Sequence, residues 1–247
     1  MATDQPEVTI RTGFSSTMVM FEAKVTNPTS GDLRTIRLTP KPIPPSTWVD
    51  REQHLIPLLR SRRSRKAAFR LRPSSGQEVV AMDLTVEWED AYGASRGRLE
   101  VSSKPVELSV PPLRQPSEGM DRWRAGLSGG VAVELRLRQE PPPEKMVDIL
   151  KEALVSAPGK VSVQREEGPR GASGRVWVRA EGSRGRRAGL LVDITPDPVT
   201  GGSRVLLTAT ATTEELLTMF YHACLSLMAE ALPGIDGIAP HSLSDIQ

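Results

Sequence analysis

Few side chains in this sequence are suited to catalysis. The chain has one cysteine, Cys224, and three histidines, His54, His222 and His241. His222 and Cys224 are the closest nucleophile and base pair, but helical residues two positions apart are rotated by about 200° and point in different directions. We therefore predict that Cys224 packs in the core and that His222 faces solvent. So few histidines and cysteines leave little material for a metal site or a Ser-His-Asp triad, and we expect no enzymatic activity and no cofactor.

A binding surface is the better candidate, and it centres on Trp177. In the segment Arg175 to Arg179 the valines alternate with larger residues, so Trp177 and both arginines share one strand face. Alternation along the next two strands places four more residues on the same side of the sheet, which we call the open face: Leu191, Asp193, Arg204 and Leu206. A large aromatic side chain among polar and apolar neighbours is typical of an anchor for a peptide motif or an accessory protein. The alternative is that Trp177 packs internally, for example against Trp123.

A second candidate surface is the strongest charge cluster in the chain. It consists of Arg60, Arg62, Arg63, Arg65 and Lys66. Such a run could bind phosphates of lipid or nucleic acid, but it lacks interleaved aromatic residues and fits a solvated loop between two strands. The 32 basic and 30 acidic side chains give a net charge of +2, so no specific nucleic acid is expected and membrane contact would be weak.

Two structural units are predicted to position these residues. From Glu7 to Val110 short runs of alternating apolar residues are separated by turn signals, a pattern typical of an immunoglobulin-like β-sandwich. Ile36 and Leu38 lie in one such run, and a Pro-rich stretch from Pro40 to Pro45 follows them. Because consecutive prolines lack amide donors, Pro111-Pro112 marks the boundary, with domains at 1–112 and 113–247.

The second unit is predicted to be an antiparallel sheet platform flanked by helices near 144–156 and 213–232, so that the chain is mostly β with an α+β second domain. Its five strands contain Val131 to Leu137, Val161 to Val163, Val176 to Ala180, Leu190 to Ile194 and Val205 to Ala211. The last helix has a wide apolar arc and a narrow polar stripe of Thr218, His222, Ser226 and Glu230. Three carboxylates are predicted to lie on a wet sheet face: Glu181, Asp193 and Asp197. His241 is expected in a tail.

The single cysteine excludes an internal disulfide, and the N-terminal residues lack a basic segment followed by an apolar one. These features predict a soluble, cytoplasmic protein. Self-association through the open face is a further alternative, and the oligomeric state stays open. The chain could be a complete protein or an excised domain.

Several stretches resemble the appendage, or ear, domain of the large subunits of clathrin-adaptor and related coat complexes. They are PVELSVPPLRQPSEGMDRWRAGL, AGLLVDITPDP and SRVLLTATATTEELL, with a weaker likeness at the Trp88 strand and its turn. The resemblance implies a freestanding relative of these domains with a non-enzymatic adaptor function. It also implies a place in a vesicle-coat or membrane-traffic-like assembly. In that family a tryptophan and basic residues of the platform bind short aromatic or acidic peptide motifs.

By matching motifs, Trp123 would be that tryptophan and Arg204 one of the basic residues. This chain departs from the family at Asp193 and Thr208, where peptide-binding ears often have further arginines. Arg175 and Arg179 on the neighbouring strand could supply the missing positive charge.

Overall fold

The computed structural model describes residues 5–93, 95–116, 119–168, 171–235 and 241–243. The chain divides into two compact units, Met1–Glu107 and Leu108–Gln247. The sequence placed the boundary five residues later, after Pro112. The mostly β fold class with antiparallel sheets and few helices is confirmed.

The first unit is a β-sandwich of two antiparallel sheets. Its strands are β1 (Glu7–Ser15), β2 (Met18–Thr26), β3 (Leu33–Ile43), β4 (Trp48–Val49), β5 (His54–Leu59), β6 (Ser64–Arg72), β7 (Val79–Asp90), β8 (Arg96–Ser102) and β9 (Val106–Glu107). One sheet has the order β1-β2-β6-β4, and the other has the order β5-β3-β7-β8 with β9 paired to β7. The alternating residues of both sheets are buried, including Phe21, Phe69, Leu38 and Leu84. The two-residue period therefore identifies the core face.

β3 does not end at the first prolines but continues through Pro40 and Pro42 to Ile43. β5 pairs with β3 only as far as Leu38, while β7 pairs with β3 along its whole length. Beyond Leu38 one side of β3 is thus a free edge among the described residues, and a proline without an amide donor is tolerated there.

The second unit contains one six-stranded antiparallel sheet and three α-helices among its described residues. The elements are α1 (Met120–Ala125), β10 (Val131–Gln139), α2 (Pro143–Ala153), β11 (Lys160–Gly168), β12 (Gly171–Glu181), β13 (Arg187–Pro196), β14 (Ser203–Ala211), α3 (Glu214–Met228) and β15 (His241–Leu243). A 3-10 turn at Leu154–Ser156 follows α2, and another at Ser183–Gly185 joins β12 to β13.

The sheet has the order β11-β12-β13-β14-β10-β15, so the predicted meander of β11 to β14 is confirmed. One face packs on α2 and α3 in a core that includes Val176, Leu190, Leu207 and Phe220. His241 was expected in a tail, but it belongs to β15, which pairs with the edge of β10. The opposite edge of the sheet is β11.

α3 begins with a side-chain cap. The hydroxyl of Thr213 accepts a hydrogen bond from the backbone N–H of Leu216 at 3.2 Å, and Glu214 and Glu215 occupy the first turn, where the helix dipole favours negative charge. The helix ends at Met228, and a turn leads on to Leu232.

The prediction that His222 faces solvent is wrong, and Thr218 in the same polar stripe is buried as well. Thr218 is fully buried and His222 is only 4% exposed. The hydroxyl of Thr218 donates to the carbonyl of Glu214, and that of Ser226 donates to the carbonyl of His222, both at 2.8 Å. Because such bonds to the preceding turn satisfy the hydroxyl groups, this side of the helix can be buried despite its polar composition.

Candidate functional site

The candidate site lies on the open face of the second unit, opposite α2 and α3. The register of β12, β13 and β14 aligns two neighbouring rows of residues across the sheet. One row is Trp177, Leu191 and Thr208, and the other is Arg179, Gly189 and Thr210. Because these positions alternate with core residues along each strand, all six side-chain positions belong to the open face.

α1 covers one of the two rows through Trp123, which is 6% exposed. The ring of Trp123 lies directly on Gly189, since a Cβ atom built at Gly189 would be 2.2 Å from Trp123 Cη2. Carbon atoms do not approach this closely, so the indole occupies the space that any side chain at this position would need. This glycine near the start of β13 therefore permits the close approach of α1.

Arg187 binds the C-terminal half of α1. Its Nη1 donates hydrogen bonds to the carbonyl oxygens of Arg122 at 3.0 Å and of Trp123 at 3.4 Å. These carbonyls belong to the last turn of a six-residue helix, and that of Arg122 also accepts the backbone N–H of Gly126 at 3.1 Å. A cation at this end also complements the helix dipole.

A cavity of about 520 Å³ lies between α1 and the sheet, and we call it the indole cavity. It is lined by Met120, Trp123, Arg124, Ala125, Leu127, Ser128, Trp177, Val178, Arg179, Gly189, Leu190, Leu191, Thr208 and Thr210. Arg124 and Ser128 at its rim are exposed, whereas Trp177 is half-buried. A mainly apolar cleft of this volume with a few polar groups is typical of a binding site.

Three lining residues carry buried donor groups without partners. Among the described residues, Trp123 Nε1, Trp177 Nε1 and the Nε and Nη1 atoms of Arg179 have no hydrogen-bond partner. Arg179 is 8% exposed and forms no ion pair there. A buried guanidinium without a counter-ion is unusual, because desolvation of an isolated charge is costly.

The other arginines predicted for this surface are paired within the chain. Arg175 Nε donates to Asp193 Oδ1 at 2.6 Å, and this hydrogen bond is the main reason that the pKa of Arg175 is raised. Arg204 Nε donates to Asp197 Oδ1 at 3.3 Å. Both arginines are therefore at least partly neutralised by carboxylates of their own sheet.

The prediction that Asp197 lies on a wet sheet face is wrong, because this residue is 1% exposed. Its carboxylate accepts the backbone N–H of Val199 at 3.1 Å, which is the main cause of its lowered pKa. Arg138 Nε also lies 3.7 Å from its Oδ2 atom. Asp197 thus organises the turn between β13 and β14.

The structure brings together four of the predicted binding residues: Trp123, Trp177, Arg179 and Leu191. The remaining four, Arg175, Asp193, Arg204 and Leu206, are on the open face but outside the indole cavity. Arg204 is six residues from Thr210 along β14, which corresponds to about 20 Å in a strand. The motif match assigned Trp123 and Arg204 to one pocket, but only Trp123 lines the indole cavity.

The basic cluster is not a single loop. Arg60, Arg62 and Arg63 lie at the turn between β5 and β6, whereas Arg65 and Lys66 belong to β6. All five are exposed, and Lys66 Nζ lies 2.9 Å from Glu22 Oε1. Within the part of the chain that the structure describes, the four arginines form no side-chain hydrogen bond or ion pair.

None of the helices formed by the described residues is long and apolar enough to cross a membrane. In the same ranges, no group of three or more His, Cys, Asp or Glu side chains is placed to hold a metal ion. No protein-family model and no curated protein sequence matches this chain.

Proposed function

We propose that the second unit is a non-enzymatic, adaptor-like module that binds a segment of a protein partner in the indole cavity. The observation that carries this proposal is a cavity of about 520 Å³ walled by two tryptophans, Trp123 and Trp177. Its size suits one large apolar side chain with part of the adjoining backbone. A clustered pair of indoles at a cleft is typical of the residues that dominate protein interfaces.

The expected affinity is modest. Burial of one large apolar side chain contributes about 1.5–3 kcal/mol, and an aromatic contact adds about 0.5–1.5 kcal/mol. Association also costs several kcal/mol in lost translational and rotational freedom. An adaptor needs reversible contacts of this kind. A place in a coat or membrane-traffic-like assembly is supported only by the likeness of Pro105 to Leu127 and Ala188 to Leu217 to ear domains.

Selection from a library of displayed peptides tests the proposal. We expect the enriched peptides to share an aromatic or large aliphatic residue, and Trp177→Ala to weaken their binding about tenfold. Trp177 is preferable to Trp123 as the test position, because Trp123 also anchors α1 on Gly189. Trp48→Ala, which removes a 46% exposed tryptophan of the first unit, is the matched control. Unchanged binding by Trp177→Ala would refute the assignment.

A second candidate function is contact with an anionic surface through the basic cluster. Four exposed arginines without ion pairs among the described residues favour it. Sedimentation with phosphatidylserine vesicles should then fall steeply between 50 and 200 mM salt, roughly as expected for released counter-ions. Replacement of Arg62 and Arg63 by glutamine should abolish it, and salt-independent sedimentation would contradict this candidate.

A further inference from the structure

The uncompensated charge in the indole cavity defines what its ligand must supply. We infer that the cavity binds the carboxy-terminal residue of its partner, with the apolar side chain between Trp123 and Trp177 and the α-carboxylate on Arg179. This inference rests on the proposed function and specifies the partner of the same site.

The first step is the state of Arg179. Its residue surface is 8% exposed, and its Nε and Nη1 atoms are sealed from solvent without a partner among the described residues. On the same strand and face, Arg175 has Asp193 directly opposite and binds it at 2.6 Å. Opposite Arg179 the register places Gly189, which offers no side chain. Because buried charges are normally paired, Arg179 indicates a counter-ion that comes from outside the chain.

The second step is the kind of group that fits. Indole N–H and guanidinium groups only donate hydrogen bonds, so the three unpartnered side chains require acceptors. The described residues that line the cavity include two arginines, Arg124 and Arg179, and no acidic residue. A carboxylate supplies one negative charge and two acceptor oxygens, and its planar shape matches the guanidinium fork.

The third step is distance. Arg179 and Trp177 are two residues apart on one strand face, which corresponds to about 7 Å. Gly189, which carries the ring of Trp123, is the direct cross-strand partner of Arg179. The apolar walls and the cation are thus within the reach of a single amino acid. A terminal residue has both groups on one Cα atom, and its chain leaves the cavity in one direction only.

The test compares short peptides that end in phenylalanine with a free carboxylate or with an amide. Binding is followed by calorimetry and by the NMR signals of the two indole N–H groups. We expect the amide to bind about 10- to 100-fold more weakly, as for loss of a hydrogen-bonded charge. Both indole signals should shift with the acid. A blocked peptide with an internal aspartate beside phenylalanine should bind as weakly as the amide.

Variants separate the charge from the apolar anchor. Arg179→Met should reduce the affinity for the free acid to that for the amide, and Arg179→Lys should retain part of the difference. Arg11→Met changes the net charge equally at an exposed position of the first unit outside the basic cluster and should leave both affinities unchanged. The comparison of acid and amide in the unchanged protein does not depend on the folding of any variant.

Each outcome bears on a different claim. Equal binding of acid and amide, with loss of both in Trp177→Ala, would overturn the carboxylate inference and leave the apolar anchor standing. If N-acetylphenylalanine binds as tightly as the peptide acid, the ligand is a small apolar acid and the peptide terminus is wrong. Failure of every peptide to bind would refute the proposed function as well.

Discussion

The contact between Trp123 and Gly189 gives the sharpest test of how the site is built. In Gly189→Ala the new Cβ atom would lie 2.2 Å from Cη2, 2.8 Å from Cζ2 and 3.4 Å from Cζ3 of Trp123. The ring must shift, because two of these distances are far below van der Waals contact. Expulsion of the whole indole would expose about 150–250 Å² and cost about 4–6 kcal/mol.

A local shift is cheaper and is therefore the expected response. Overpacking by one methyl group costs about 1–3 kcal/mol, and replacement of a strand glycine returns about 0.5–1 kcal/mol. We expect a net loss of about 1–2 kcal/mol in the free energy of unfolding. For a unit of this size that corresponds to a decrease of about 3–8 °C in Tm.

The assay is a double-mutant cycle with Trp123→Leu, followed by far-UV circular dichroism in guanidinium chloride. Leucine does not reach the space above Gly189, so Gly189→Ala should be neutral or slightly stabilising in that background. Gly13→Ala is the matched control, since a Cβ atom there would meet only Met20 Cε at 3.5 Å. An equal loss from Gly189→Ala in both backgrounds would show that the indole is not the cause.

Three further predictions concern the supports of the site. Arg187→Met removes the hydrogen bonds to the last turn of α1, so the tryptophan emission should shift to longer wavelength and Tm should fall. Thr213→Ala removes the cap bond to Leu216 and should lower the free energy of unfolding by about 1 kcal/mol, measured by guanidinium titration. The pKa of Asp197 is lowered in the folded state by the N–H of Val199, so its contribution is complete above the unfolded pKa and lost as pH falls through the folded value. Below the ordinary value of 3.8 the Tm of the protein should therefore decrease more than that of Asp197→Asn.

Most of the fold follows from local patterns. The two-residue alternation identifies the strands with buried Phe21 and Val176, and the wide arc of apolar residues at helical spacing identifies α3. These signals depend only on residues that are close in sequence. The continuation of β3 through Pro40 could not be predicted in this way, because it depends on where β5 stops pairing with β3.

The site was only partly predictable, because part of it depends on contacts between residues that are distant in sequence. Alternation places Trp177 and Arg179 on one face, but it does not show that α1 covers that face. The missed signals were Arg187 and Gly189, the first and third residues of β13, whose partners on α1 are more than 60 residues away in sequence. Likewise, the burial of His222 depends on what packs on α3, which the polarity of its stripe does not reveal.

The steric contact at Gly189 also has an electrostatic consequence. A side chain at position 189 would displace the ring of Trp123, so an aspartate or glutamate that could pair with Arg179 from this position would disturb the packing of α1. Four residues away along both strands, the equivalent cross-strand pair is an ion pair between Arg175 and Asp193. Selection for the packing of α1 would thus keep position 189 free of a carboxylate, even without selection on ligand binding.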